Sequence, residues 1–459
     1  MTIDEATTPD TAGSVPEAVK VRVVNTTGDR ERDPRREIPE LGFTEYWYPV
    51  TSARKVPRRK PMRVKLLGQD LAVFRGDSGI AVISNWCPHR GASLGQGKCH
   101  YPGTISCPYH GWTFDETGEC RAVLSEGPGE LSSIPGRARV RVYPSRVIQG
   151  IVFAWMGEGE PIAPEDDLPP ELFDGSFVQH DATIWHANWR VSLENLSDNH
   201  TNYIHRDAIQ VLMQPFMKVS YRGARTYFQG GGAGLTFYSD GGERDRPYRE
   251  YFPEVDGYWP KHSFRRAWIP LLARRPFQWL WRLGEGYPPT QSYHPQSHEW
   301  NGGPHMPGMQ RISGGSAMYT RWCVPIDENT TKEFYMWAVR PASTASKMWE
   351  RIKYPINQKL LRHRNLGFQD GHILEQLRFD LKEQFSQYDV ETMGWRRLAI
   401  LSARCGGRHD LIPEEVIEKL NERAIADLGG RRPEGTRTVD LREIDGVRPI
   451  DDDDDELRV

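Results

Sequence analysis

The sequence predicts an α+β protein: a small all-β amino-terminal module, then a larger part that joins an antiparallel sheet to a long helix. Three observations predict it. Short β-rich runs recur between about 46 and 155, punctuated by glycine and proline. An acidic, proline-rich stretch follows, and beyond it two strand-like runs precede a long segment of helical periodicity.

Residues 1–40 are mostly polar and charged with little apolar periodicity, which reads as an arm lying over another surface. The β module spans 41–160, with runs at Met62 to Leu67, Asp70 to Arg75, Ile80 to Asn85 and Ile151 to Trp155. Glu158 to Asp174 contains Pro161, Pro164, Pro169 and Pro170 and reads as a connector, so a domain boundary falls near 160 and a second domain spans 161–430. Within it, Trp189 to about Gln210 has helical spacing, and Ala317 to Pro325 pairs with Glu333 to Val339 around a turn at Asp327 to Asn329. A helix is expected from about Ser346 to Tyr388. Tyr251 to Pro289 is crowded with aromatic residues, Pro and Arg without clear period, and reads as a lid over a pocket or as an irregular surface or subunit contact. Pro413 opens a segment in which Val416, Ile417, Leu420, Ala424 and Leu428 share a face, with Gly429 as a stop signal. The acidic tail, 431–459, ends in the run Asp451 to Glu456 and is expected to be solvated.

Over 459 residues the formal net charge is -3, so there is no excess of the kind that draws a protein to nucleic acid or an anionic membrane. No apolar run of about 18 residues occurs. The first stretch lacks the basic and apolar parts of a signal peptide, and a cytoplasmic location is expected. Six cysteines are too sparse for a disulfide scaffold, yet Cys87, Cys99, Cys107 and Cys120 crowd together.

Cys87-Pro88-His89-Arg90-Gly91 and Cys107-Pro108-Tyr109-His110-Gly111-Trp112 each offer one thiol and one imidazole. Two such loops, opposed, can clamp a two-iron cluster in which two Cys hold one iron and two His the other. Gly91 and Gly111 suit sharp turns close to the sulfurs. Two Cys and two His also hold zinc, but zinc spacings pair like with like, and here the types are mixed. Cys99 and Cys120 read as buried or half-buried thiols. The two loops resemble the Rieske family. Respiratory Rieske proteins carry an additional Cys in each loop, where this chain has Ala92 and Tyr109, whereas a tryptophan at the position of Trp112 is typical of the oxygenases and their ferredoxins.

About 300 residues follow the module, more than a freestanding electron carrier needs. Asn188-Trp189-Arg190, Glu194 to His200 and Tyr203 to Asp207 resemble the catalytic signature of Rieske non-haem iron oxygenases. The resemblance implies a helix-grip catalytic domain in which His200 and His205 bind a mononuclear Fe(II), leaving open positions for dioxygen and substrate. The family's bridging aspartate usually stands three residues before the first His, whereas Asp198 precedes His200 by two. Either the helix carries a π-bulge or one assignment shifts by a residue. The third ligand is expected at Asp370, within a stretch resembling the carbazole- and phthalate-type oxygenases, with Glu375 and Asp380 as fallbacks.

The resemblance further implies a homotrimer in which Asp198 links the cluster ligand His110 of one subunit to His200 or His205 of the next, with Asn195 near the iron. It implies a terminal oxygenase that activates O2 to mono- or dioxygenate, or oxidatively demethylate, an aromatic substrate. The alternative is a Rieske electron-transfer protein with a non-catalytic second domain. Gly230, Gly231, Gly232 and Gly234 lack dinucleotide-binding spacing, so electrons from NAD(P)H are expected to come through a separate reductase, with or without a ferredoxin.

Overall fold

A computed structural model describes residues 34–127, 131–195, 204–205, 223–229, 231–238, 303–313, 317–378, 381, 383–385 and 389–426. The expected lid, the acidic tail, Asp198, His200 and Asp380 lie outside the described residues.

The first half is all β, as its alternating runs predict. Strands β1 (Trp47–Ser52), β2 (Met62–Leu66), β3 (Gln69–Arg75), β4 (Ile80–Ser84), β5 (Thr104–Ser106), β6 (Trp112–Asp115), β7 (Cys120–Val123), β8 (Val142–Tyr143), β9 (Ser145–Ile148) and β10 (Ile151–Trp155) form three small sheets, ordered β1-β10-β9, β2-β3-β4-β8 and β5-β6-β7. The β2–β3 hairpin closes on two residues, Leu67 and Gly68, with φ of 48° and 72°. That matches a primed turn, whose twist suits paired strands but strains a leucine. Backbone bonds from Leu67 to the Pro325 carbonyl (2.7 Å) and from Gly68 to the Ile326 carbonyl (3.1 Å) hold the turn against the second half.

The second half is built on one antiparallel sheet. Its strands are β11 (Phe177–Trp185), β12 (Gly223–Gln229), β13 (Gly232–Tyr238), β14 (Gly303–His305), β15 (Met309–Ser313), β16 (Ala317–Asp327) and β17 (Thr330–Val339), in the order β11-β17-β16-β15-β14-β13-β12. The expected β16–β17 hairpin is present, and β16 is buried continuously from Ala317 to Pro325 because it touches β1 and β2 on one side. One hydrophobic cluster runs through both halves and includes Trp47, Trp155, Trp189, Trp322 and Trp395.

The connector differs from its sequence reading. It reads as an acidic linker between domains, yet Asp167 and Glu171 are buried and ion-paired, to Arg408 at 3.0 Å and Arg311 at 2.7 Å. Their guanidinium partners come from distant chain segments, so local composition gave no sign of them.

The long helix starts as expected, with Ser343 and Ser346 forming a reciprocal cap. It runs α over Thr344–Tyr354, passes into π geometry over Pro355–Leu366, and returns to α over Gly367–Leu374. Pro355 lacks the N–H that would continue α bonding, and the change of register falls there. The helix ends at Leu374, not near Tyr388, and Glu383 is drawn between Arg35 (3.2 Å) and Arg396 (2.5 Å). A further helix, Val390–Arg404, packs on β12 and β13, and the helix expected after Pro413 spans Glu414–Ala426 with Val416, Ile417 and Leu420 against the core.

Candidate metal centres

The two Cys/His loops are built alike. In the first, the Cys87 N–H donates to the Ala92 carbonyl (2.9 Å) and Gly91 donates back to Cys87 (2.8 Å). In the second, Cys107 donates to Trp112 (2.8 Å) and Gly111 donates back to Cys107 (3.1 Å). Each loop turns through a left-handed glycine, Gly91 at φ 69° and Gly111 at φ 67°, where a side chain would be strained. At Gly111 a Cβ would also lie 2.7 Å from the Leu124 Cβ.

Cys87 and Cys107 are buried side by side, while the His89 and His110 rings lie beside each other at 4.6 Å between centroids. Burial, with the neighbouring Cys107 adding to it, pushes the Cys87 thiol up to about 12. Such a thiol ionises readily only when a cation sits against it. Desolvation, with the nearby His89 and Arg90 adding to it, holds the His110 imidazole below its ordinary value. Its Nδ1 is buried with no hydrogen-bond partner. An orphaned imidazole nitrogen beside a second imidazole, across from a thiol pair, fits a two-iron cluster. The ligand types alternate within each loop, Cys with His, whereas zinc sites usually pair like with like. Trp112 stacks on His89 at 4.8 Å and 6°, walling the pair from one side.

In the second half, helix propensity alone does not place the site; capping and packing do. The Asn188 side chain accepts from the Arg190 N–H and caps the helix Trp189–Glu194. Trp189 and Arg190 bond the carbonyls of Arg35, Ile38, Pro39 and Glu40, so these motif residues anchor the chain's first described segment. Asn195 follows at the helix end, buried. Across from it, Gly371 lets the long helix approach Trp185 so closely that a Cβ would lie 3.3 Å from the indole.

That approach brings Asp370 to His205. His205 Nε2 stands 3.1 Å from Asp370 Oδ1, and both side chains are buried. The separation is that of two neighbouring ligands on one metal ion with bonds of about 2.1 Å. Asn195 Nδ2 lies 3.4 Å from the same oxygen, and Asn195 Oδ1 is buried without a partner. The donor set therefore suits a divalent metal with imidazole and carboxylate ligands. The fallback Glu375 is exposed and one turn beyond. The reading from sequence missed Gln369, whose Oε1 accepts from His205 Nδ1 at 3.0 Å. Its place beside Asp370 was visible, but not its direction.

Comparison with known proteins bears directly on these loops. Residues 46–144 match the model of the Rieske [2Fe-2S] domain. That stretch is similar to Rieske [2Fe-2S] domains, and the chain is similar in sequence to terminal oxygenase components. Residues 155–226, just after the Rieske domain, match the model described as homotrimeric ring hydroxylase. The chain is 34% identical over 175 residues to the terminal oxygenase component of carbazole 1,9a-dioxygenase from Metapseudomonas resinovorans, covering 38% of this chain and 45% of that protein. It is 32% identical over 225 residues to 4beta-methylsterol monooxygenase from Methylococcus capsulatus, covering 46% and 59%. The chain thus spans about half the length of the curated relatives it matches. In fold, it is similar to the terminal oxygenase of carbazole 1,9a-dioxygenase from Novosphingobium sp. KA1, with a TM-score of 0.59 and 23% identity over 81% of this chain and 95% of that one. Among the described residues no helix is long and apolar enough to cross a membrane.

Proposed function

We propose that this chain is the terminal oxygenase component of a multicomponent Rieske oxygenase, acting as a cytoplasmic homotrimer. The observation that carries this reading is the meeting of His205 and Asp370 in a chain that also holds the Rieske loops. A Rieske carrier needs no second buried imidazole–carboxylate pair.

In this reading Cys87 and Cys107 hold one iron of the cluster and His89 and His110 the other. His200, His205 and Asp370 hold the mononuclear iron, which when bound supplies open positions for dioxygen and substrate. Asp370 compensates the metal's charge inside a buried site, while Asn195 presents a polar side chain beside it. Asp198 bridges His110 of one subunit and His200 or His205 of the next. A ferredoxin or an NAD(P)H-dependent reductase delivers the electrons. The substrate is organic and aromatic in this reading, as the carbazole relative suggests, with the methylsterol relative offering a sterol as the second class to test.

Metal analysis of the purified full chain tests the proposal. An oxygenase holds about three irons per chain, two in the cluster and one apart. A stable content of about two, with no oxygenated product from aromatic or sterol substrates when a reductase is supplied, would reduce the protein to an electron carrier.

A further inference from the structure

We infer that Gln369 is a positioning residue that sets which nitrogen of His205 faces the metal. The inference rests on the reading that His205 binds iron. A neutral imidazole carries one N–H and one lone pair, and a hydrogen bond at one nitrogen decides where each resides. Gln369 Oε1 lies 3.0 Å from Nδ1 and can only accept, so the proton sits on Nδ1. Nε2 is then left with its lone pair, at 3.1 Å from Asp370 Oδ1. Consecutive residues on a helix diverge by about 100°. Gln369 and Asp370 nonetheless both reach His205, one at each ring nitrogen. A single turn of helix therefore supplies a metal ligand and the group that orients another ligand reached from 164 residues away. Outer partners of this kind raise metal affinity by about 10- to 100-fold.

The test uses the full chain with its cluster in place, and reads Fe(II) retention against a competing chelator together with the electron paramagnetic resonance signal of the nitric oxide adduct. Gln369→Leu removes the acceptor and is expected to weaken Fe(II) binding by about 10- to 100-fold and to broaden the signal, with the cluster's visible absorption unchanged. Gln369→Glu keeps an acceptor and cannot donate, so it is expected to hold Fe(II) within a few-fold of the parent; it also decides the matter if the leucine variant fails to fold. Undiminished retention and an unaltered signal in Gln369→Leu would overturn the inference. So would a glutamate variant that binds poorly, because the amide would then be donating to His205 instead of accepting. A parent chain whose Fe(II) signal survives His205→Ala would overturn the oxygenase reading itself, which separates the two failures.

Discussion

Replacement of Arg396 by methionine should destabilise the protein in a pH-dependent way. Arg396 forks onto Glu194 at 2.6 and 2.5 Å and onto Glu383 at 2.5 and 3.0 Å. Glu383 is partly exposed and keeps Arg35, but Glu194 is largely buried. Burial already pushes the Glu194 carboxyl above its ordinary 4.5 against the opposing pull of Arg396, so loss of the guanidinium raises it further. A buried carboxylate left without its partner can escape by taking a proton. At about pH 7 that escape costs about 1.4 kcal/mol for each of about 2.5 pH units, so the loss of stability is capped at about 3.5 kcal/mol. The sign follows from linkage. In the variant the folded-state pKa exceeds the unfolded one, so stability is kept below the unfolded value and lost as pH rises. At about pH 5.5 the cap falls to about 1.4 kcal/mol. Urea unfolding of Arg396→Met and the parent at both pH values measures the difference. Equal destabilisation at the two pH values would refute the argument, as would a loss well above the cap. Glu194 adjoins Asn195, so weaker iron retention is expected alongside.

Asp370→Ala should lower iron from about three to about two per chain while the cluster's visible absorption persists, checked by elemental analysis and spectroscopy. Asp198→Asn should leave both metals bound yet abolish product formation in a reductase-coupled assay; retained turnover would count against the bridge. Acid should weaken the fold through His363, which burial holds down to about 4 against the pull of Asp181. The unfolded chain takes that proton first, so the contribution is whole above about pH 6.5 and is lost as pH falls towards about 4, by at most about 3 kcal/mol. His363→Phe, which keeps a ring against Tyr335, should flatten that part of the urea-midpoint profile; an unchanged slope would show that His180 and His409, both also near 4, carry it instead.

The two Cys/His loops are written in local sequence. Cys87, His89, Cys107 and His110 fall within one short stretch, Gly91 and Gly111 mark the turns, and the bonds that shape each loop close within five or so residues, so local chemistry suffices. The strands of the first half and the β16–β17 hairpin were legible for the same reason, since alternation and turn residues act between neighbours. What tertiary structure decided is everything that depends on groups far apart in the chain. His205 and Asp370 could be named by resemblance, but their meeting at 3.1 Å arises from the packing of the long helix on Trp185. Gln369 meets His205, a residue 164 positions away, at 3.0 Å, a contact that periodicity does not encode. The acidic connector became a buried strut because Arg311 and Arg408 arrive from elsewhere to meet Glu171 and Asp167. The long helix stopped at Leu374 although apolar spacing continues through Leu377, Leu381 and Phe385, all exposed. A periodic face directs a helix only when a partner surface buries it, and where that surface ends, ion pairs to Glu383 set the path of the chain.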